Sequence, residues 1–188
     1  LVLCAVQHAG ISQSWQDTLM LIEKAFERYK PTNPGAQLAI SRNGHIIFSN
    51  AWGMADLEHR VSLTMKSVLE AGSVSKQFTA AAMLLLEQQG KLSMSEDVRK
   101  YIPELRDYGT VITLRHMMQH TSGIKDWGSI AGIAGWPRTT KTYSNDDALL
   151  IISRQKTLNN KPGDEYIYSN SNYNLFAIIV GGKRLEPC

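Results

Sequence analysis

The first part of the chain changes from a helical to an extended pattern of apolar residues. Over residues 14–29 the apolar positions recur at helical spacing on one face, and Ser14 can cap the start of that helix. Two extended apolar runs follow, residues 37–42 and 45–53, on either side of Asn43-Gly44. Asn-Gly favours a two-residue hairpin turn because both turn positions need a positive φ. The pattern predicts a helix and a β-hairpin, then an irregular segment over residues 53–69.

The rest of the chain carries helical patterns only. The longest predicted helix covers residues 73–89, and its run from 80 to 86 leaves almost no polar face, so we expect it to be buried. Four further helices are predicted, over residues 95–101, 113–119, 144–153 and 172–180.

A hairpin followed by helices alone is typical of an α/β (α+β) protein in which a helical domain interrupts a sheet domain. We expect residues 11–72 to begin the sheet domain and residues 73–180 to form the mainly helical part.

Composition narrows the class of protein. The chain is 43% apolar and 20% charged, which is ordinary for a globular protein and argues against disorder. The net charge is +3 and the basic residues are scattered, which gives little support to a nucleic-acid partner. No run reaches about 18 apolar residues, so we expect no stable membrane span.

The two ends of the chain carry their own signals. Residues 1–10 are apolar and then small, which is typical of the remnant of a signal peptide and predicts a periplasmic or secreted protein. A short buried strand is the alternative interpretation of this segment. The two cysteines, Cys4 and Cys188, lie at opposite extremes and indicate neither a disulfide framework nor a zinc site.

Chemistry is first indicated by Ser73 and Lys76, at the start of the longest helix. A spacing of three residues places the Ser73 hydroxyl and the Lys76 amine on one helical face. A serine hydroxyl becomes a nucleophile when a base takes its proton, and a desolvated lysine can be that base. We expect the apolar helix to desolvate Lys76. The alternatives are a plain serine cap with a surface lysine, and Ser75 as a rival nucleophile that lacks a lysine three residues on.

A Tyr-Ser-Asn sequence supplies further candidates, and it occurs twice. Tyr168 and Asn170 follow a Pro-Gly-Asp turn and precede an apolar helix, which suits a loop directed into a cleft. The tyrosine can relay protons, and the amide of the asparagine can hold both the lysine and a substrate carbonyl. In the second copy, Tyr143-Ser144-Asn145, the serine is better explained as a helix cap. We therefore prefer Tyr168 to Tyr143.

Two histidines complete the candidates. His120-Thr121-Ser122-Gly123 indicates the end of a helix, with Gly123 in the left-handed conformation. His116 and His120 are four residues apart on one face, but Met117 and Met118 stand where a zinc-protease helix would carry its glutamate. We expect neither a metal nor a cofactor.

Three segments together resemble the class C β-lactamase-related family, which groups class C β-lactamases, D-alanyl-D-alanine carboxypeptidases, D-aminopeptidases and serine esterases. They are residues 73–78, residues 114–123, and Tyr168-Ser169-Asn170 followed by Tyr173 and an apolar helix. The resemblance implies a β-lactamase/penicillin-binding-protein-like fold, with Ser73 as the acylated nucleophile and Lys76 and Tyr168 as the shared proton-transfer pair. It implies that Asn170 positions substrate and that residues 120–123 form a structural turn without a catalytic role.

One departure from the family pattern affects these expectations. The third family motif, Lys-Thr-Gly or His-x-Gly on a late strand, is absent from the sequence. We therefore expect a fragment that lacks the C-terminal strands and that need not be active by itself. The expected activity is serine hydrolysis through an acyl-enzyme, on a small-molecule or peptide substrate that is a β-lactam, a D-amino-acid peptide or an ester. The alternative is a non-catalytic penicillin-type binding or sensor module, or an inactive truncated homologue.

Overall fold

The computed structural model describes residues 14–137 and 139–181. They form two compact units, divided between Glu70 and Ala71. The predicted signal-peptide remnant over residues 1–10 and both cysteines lie outside the described residues. No helix within the described ranges is long and apolar enough to cross a membrane.

The first unit begins with helix α1, Trp15–Phe26. Ser14 caps it as predicted: the Ser14 hydroxyl accepts a hydrogen bond from the Asp17 amide, and the Asp17 carboxylate accepts one from the Ser14 amide. The last residue of α1, Phe26, stacks on Trp52 of the hairpin with ring centroids 4.3 Å apart. This contact holds the helix against the hairpin.

The predicted hairpin is confirmed. Strands β1, Ala36–Arg42, and β2, His45–Trp52, pair in antiparallel register. The turn residues Asn43 and Gly44 have φ values of 51° and 79°, which is the left-handed region that this turn requires. The register shifts after Ile40, where a bulge in the ladder accommodates one extra residue.

The segment predicted to be irregular contains a second small sheet. Strands β3, Met54–Asp56, and β4, Val61–Ser62, are antiparallel. The prediction was wrong here because strands of three and two residues are too short to show an alternating pattern. Their pairing is a tertiary contact, continued by a bridge from Met54 to Pro34.

The second unit opens with a 3₁₀ turn, Gly72–Ser75, followed by helix α2, Lys76–Gln88. The helix predicted over residues 73–89 is therefore present, but its first turn is a 3₁₀ turn and not α-helical. The expectation that α2 is buried on all sides was wrong, since Met83 is its one fully buried residue while Phe78 is 70% exposed. Helix α6, defined below, covers α2 on one side.

Four more α-helices follow among the described residues. They are α3, Leu114–Met118, α4, Trp127–Ile133, α5, Asn145–Ser153, and α6, Asn170–Val180. The predictions of α3, α5 and α6 are confirmed, with Thr113 and Ser144 as caps of α3 and α5. The helix predicted over residues 95–101 is a single 3₁₀ turn, Val98–Lys100, and α4 was not predicted because seven residues with two glycines show no clear periodicity.

The core of the second unit forms around α6. Leu175, Phe176 and Ile179 are completely buried and pack with Met117 and Ile152 from α3 and α5. Burial of large apolar side chains is the main source of stability in such a core. The same packing places the first residues of α6 close to the first residues of α2.

Candidate active site

The predicted nucleophile and base contact each other. Ser73 lies in the 3₁₀ turn and is exposed, whereas Lys76 is the first residue of α2 and is half-buried. The Lys76 ammonium donates a hydrogen bond to Ser73 Oγ at 3.1 Å. The expected desolvation of Lys76 stays a prediction: its amine has hydrogen-bond partners in Ser73 and Asn170 and also lies beside the rings of Tyr168 and Tyr173.

Tyr168 and Asn170 complete the group from the other side. The Tyr168 hydroxyl lies 2.7 Å from Ser73 Oγ, across 95 positions of sequence. Asn170 Oδ1 accepts from Lys76 Nζ at 2.8 Å. The structure thus brings together all four predicted site residues, with Lys76 hydrogen-bonded to both Ser73 and Asn170.

The rival residues are occupied elsewhere. Ser75 Oγ donates to the carbonyl of Gly72 at 2.7 Å, and this bond turns it back onto its own 3₁₀ turn. The Tyr143 hydroxyl donates to the carbonyl of Pro137 at 2.6 Å. Ser144 caps α5 through the Asp147 amide. Both rivals therefore have structural bonds of their own.

The electrostatics of the cleft favour ionisation of Tyr168. Burial by itself would raise the pKa of Tyr168, but the interaction with Lys76 and the hydrogen bond with Ser73 outweigh it and hold that pKa below 10.0. The Lys76 ammonium also lies 5.0 Å from the Tyr168 ring centroid and 5.7 Å from that of Tyr173. A lowered pKa makes the phenolate more accessible, and the phenolate is the form that can accept the proton of the neighbouring hydroxyl.

His120 belongs to this site, although the sequence indicated only a structural turn there. Its ring stacks on that of Tyr168 with centroids 4.5 Å apart, and it is 7% exposed. It also occupies the left-handed position after α3, with φ 57°. The end of α3 is a Schellman motif, in which Thr121 N–H bonds the His116 carbonyl and His120 N–H bonds the Met117 carbonyl.

The expected role of Gly123 therefore needs correction. Gly123 does have a positive φ, 73°, but His120 is the residue that ends the helix. A Cβ at residue 123 would lie 2.2 Å from the carbonyl oxygen of Asn160. Gly123 is required by the close approach of these two backbone segments, which brings the loop carrying Tyr168 against the end of α3.

Asp126 is a second residue of the site that was not predicted from the sequence. It is the N-cap of α4, where Oδ1 accepts from the Ser129 amide, and its Oδ2 accepts from the Asn170 amide at 2.7 Å. Burial opposes ionisation of this carboxyl, but these amide hydrogen bonds outweigh it and hold the pKa of Asp126 below its usual value. An N-cap aspartate before a run of apolar and small residues is the helix-start signal that could have revealed its capping role.

The two histidines point to different partners. His116 Nδ1 accepts from the Thr113 amide, and His120 Nδ1 accepts from the Ser169 amide. Within the described ranges, no group of three or more His, Cys, Asp or Glu side chains could hold a metal ion. The site thus brings together a serine hydroxyl, a phenol and an amine.

A serine and lysine at the start of α2, with a tyrosine and asparagine at the start of α6, occur here in a helical unit that follows a hairpin unit in the sequence. This combination defines a protein with the β-lactamase/penicillin-binding-protein-like fold. A family model described as Beta-lactamase matches residues 22–183. The chain belongs to this family, whose members are generally serine hydrolases.

Curated relatives include proteins with different names. The chain is 31% identical to "Protein flp" of Staphylococcus aureus (strain N315), over 87% of this chain and 33% of that protein. It is 32% identical to a D-aminopeptidase of Cereibacter sphaeroides (strain KD131 / KCTC 12085), over 78% of this chain and 28% of that protein. The chain spans about a third of the length of the curated relatives it matches.

Solved structures show the same fold. The octameric penicillin-binding protein homologue from Pyrococcus abyssi superposes with a TM-score of 0.69 at 27% identity, over 89% of this chain and 38% of that one. A class C β-lactamase gives a TM-score of 0.65 at 25% identity, over 93% of this chain and 46% of that one. These matches confirm the predicted fold class.

Proposed function

We propose that the protein containing this chain is a serine hydrolase that works through an acyl ester on Ser73. The observation that carries the proposal is the position of Ser73 Oγ, which lies within hydrogen-bond distance of both Tyr168, at 2.7 Å, and Lys76, at 3.1 Å. Ser73 is exposed, so an acyl substrate can approach it. A structural serine would need neither a phenol nor an amine at these distances.

The proposed reaction has two halves. In the first, the Tyr168–Lys76 pair takes the Ser73 proton while Oγ attacks the substrate carbonyl, forming a C–O bond and an oxyanion. When the oxyanion collapses, the bond to the leaving group breaks and the leaving group receives a proton from the same pair. In the second half, water gives its proton to the pair, attacks the ester and releases Ser73 with its proton restored.

Lys76 and Asn170 have supporting parts in this scheme. The Lys76 ammonium stabilises negative charge on Tyr168 and so raises the fraction present as phenolate, the form that accepts a proton. Asn170 holds the Lys76 amine through Oδ1 and is proposed to position substrate beside it. The backbone amide of Asn170 is hydrogen-bonded to Asp126, which restricts the position of the Asn170 side chain.

For the substrate we propose a β-lactam, a D-amino-acid peptide or an ester. Relatives named as a D-aminopeptidase and as a class C β-lactamase support the class. An open cavity of about 480 Å³ lies beside Asn170, with Trp127, Trp136 and Tyr143 among its lining residues. This cavity is large enough for the side chain of an acyl group, and its aromatic walls favour an apolar one.

The test is covalent labelling of Ser73 in the full-length protein. After incubation with a fluorophosphonate or with penicillin, mass spectrometry should find the adduct on Ser73, and S73A should abolish it while S75A leaves it unchanged. Turnover of nitrocefin, a D-alanyl peptide or a p-nitrophenyl ester then separates the substrates. Stable labelling without any turnover would favour the binding or sensor module, and an adduct on Ser75 would refute the assignment.

A further inference from the structure

One residue holds both neighbours of Tyr168. The carbonyl oxygen of His120 accepts from the Ile167 amide at 2.8 Å, and its ring Nδ1 accepts from the Ser169 amide at 3.1 Å. The backbone on either side of Tyr168 is thus hydrogen-bonded to His120. Because both bonds come from one residue, Tyr168 can move relative to His120 only if at least one of them breaks.

The ring of His120 also supports the phenol. The His120 and Tyr168 ring centroids are 4.5 Å apart, with 30° between the two planes. The ring of Tyr173 also packs against the His120 ring, with centroids 5.2 Å apart. Tyr168 is 42% exposed, so solvent covers much of the rest of its ring. The stacked contact is therefore an important constraint on the direction in which the hydroxyl points toward Ser73.

The backbone of His120 is in the left-handed region, which residues other than glycine adopt uncommonly, although Asn, Asp and His adopt it more often than the others. Its φ of 57° costs free energy at a residue with a Cβ, and glycine is the usual residue at this position of a Schellman motif. Glycine has neither a ring nor a side-chain acceptor for the Ser169 amide. Histidine supplies both: its ring stacks on Tyr168 and its Nδ1 accepts from the Ser169 amide.

The hydrogen bonds specify where the proton of the neutral ring lies. The Ser169 amide donates to Nδ1, and Asn172 Nδ2 lies 3.5 Å from the same atom. Asn172 is oriented by the Ser122 hydroxyl, which donates to its Oδ1 at 2.7 Å. With two donors directed at it, Nδ1 carries no proton, so the neutral ring carries its proton on Nε2.

Several groups around His120 bear on its protonation. Burial, and next the positive charge of Lys76, hold the pKa of His120 below 6.5. The other titratable groups that face the ring are the phenols of Tyr166, Tyr168 and Tyr173. The ring is therefore neutral at physiological pH, in the form that the Ser169 amide requires.

We propose that His120 is a positioning residue that aligns Tyr168 with Ser73, and that protonation of its ring releases this alignment. This rests on the proposed acylation of Ser73. An imidazolium would present a donor at Nδ1 to the Ser169 amide, so that bond would break. It would also add a second positive charge beside Lys76. Acylation therefore falls as the pH drops through the pKa of His120.

The first experiment does not depend on the protein having enzymatic activity. Nitrogen-15 NMR of the full-length protein should show the His120 ring as the Nε2–H tautomer at neutral pH, titrating below pH 6.5. The Ser169 amide resonance should shift with the same midpoint. An Nδ1–H tautomer, an imidazolium at neutral pH, or a Ser169 amide that does not follow the ring would overturn the proposal.

The second experiment compares acylation of Ser73 in two variants. H120N keeps an acceptor and a residue that tolerates positive φ, but it lacks the stacked ring and the titration. We expect its acylation rate to fall about tenfold or more, and the acid limb of the pH profile to lose the His120 midpoint. The control H116Q retains the capping box of α3 and should behave like the unmodified protein.

The two experiments separate failure of this proposal from failure of the proposed function. If H120N melts cooperatively and is acylated at the unmodified rate with the same acid limb, the positioning role is refuted. If H120N does not fold, the NMR titration of the unmodified protein decides the question. If Ser73 is not acylated in the unmodified protein, the proposed function fails, and the Ser169 titration still shows whether His120 holds the Tyr168 loop.

Discussion

Asp126 caps its own helix and binds the first residue of another. Its Oδ1 accepts from the Ser129 amide at 2.9 Å in α4, and its Oδ2 accepts from the Asn170 amide at 2.7 Å at the start of α6. Ser169, the N-cap of α6, makes no side-chain capping bond. The Asp126 carboxylate, which caps α4, therefore also supplies a hydrogen-bond acceptor at the N-terminus of α6, where Asn170 lies.

We expect D126A to destabilise the protein by about 1–3 kcal/mol, since it removes a helix cap and leaves the Asn170 amide without its charged acceptor. It should also slow acylation of Ser73, because Asn170 holds Lys76. Chemical denaturation and labelling kinetics measure the two effects. The control is D146A, in the exposed first turn of α5, where we expect at most about 0.5 kcal/mol. Equal losses in both variants would contradict the double role of Asp126.

Lys76 is expected to be essential for acylation but not for folding. K76M removes the amine that bonds Ser73 and Asn170 while keeping a side chain of similar length. Acylation should become undetectable by mass spectrometry, and the melting transition should remain cooperative. K91M changes an exposed lysine after α2 and serves as the control. Acylation of K76M at close to the unmodified rate would show that the bonds of Lys76 to Ser73 and Asn170 are structural only.

The two tyrosines of the repeated motif should behave differently. Y168F removes the hydroxyl that lies 2.7 Å from Ser73, and we expect turnover to fall by about 10² or more, as for loss of acid–base catalysis. Y143F loses only the bond to the Pro137 carbonyl and keeps the aromatic wall of the cavity. Steady-state kinetics on a chromogenic ester or β-lactam would measure both. The reverse ranking would move the catalytic role to Tyr143.

Acid should destabilise the second unit through Glu96. Its carboxylate accepts from Lys100, Tyr101 and the Ser93 amide, and these bonds, the one from Lys100 first, lower its pKa from 4.5 to about 2. Since the folded state holds the lower pKa, the contribution is complete above pH 4.5 and is lost as the pH falls toward 2. E96Q should remove this part of the pH dependence in urea unfolding. E165Q, at an exposed glutamate, should leave it unchanged.

Local elements were predictable because their signals are local. The Asn43-Gly44 turn needs only two residues of suitable backbone freedom, and the Ser14 and Ser144 caps bond within three residues of themselves. The spacing of Ser73 and Lys76 likewise needs only the geometry of one helical turn. Two features escaped prediction because they depend on distant partners: the short pairing of β3 with β4, and the burial of α2 along one face only.

The sequence by itself determined which residues could do the chemistry, since Ser73, Lys76, Tyr168 and Asn170 were recognisable from their types and spacing. The tertiary structure alone decided how they are held. Ser73 meets Tyr168 across 95 positions because the core around α6 brings the starts of α2 and α6 together. His120 and Asp126 act on residues 44 to 49 positions away, through a ring nitrogen and a carboxylate. No pattern along the chain encodes such bonds, because they exist only once packing has brought the helix ends within about 3 Å of each other.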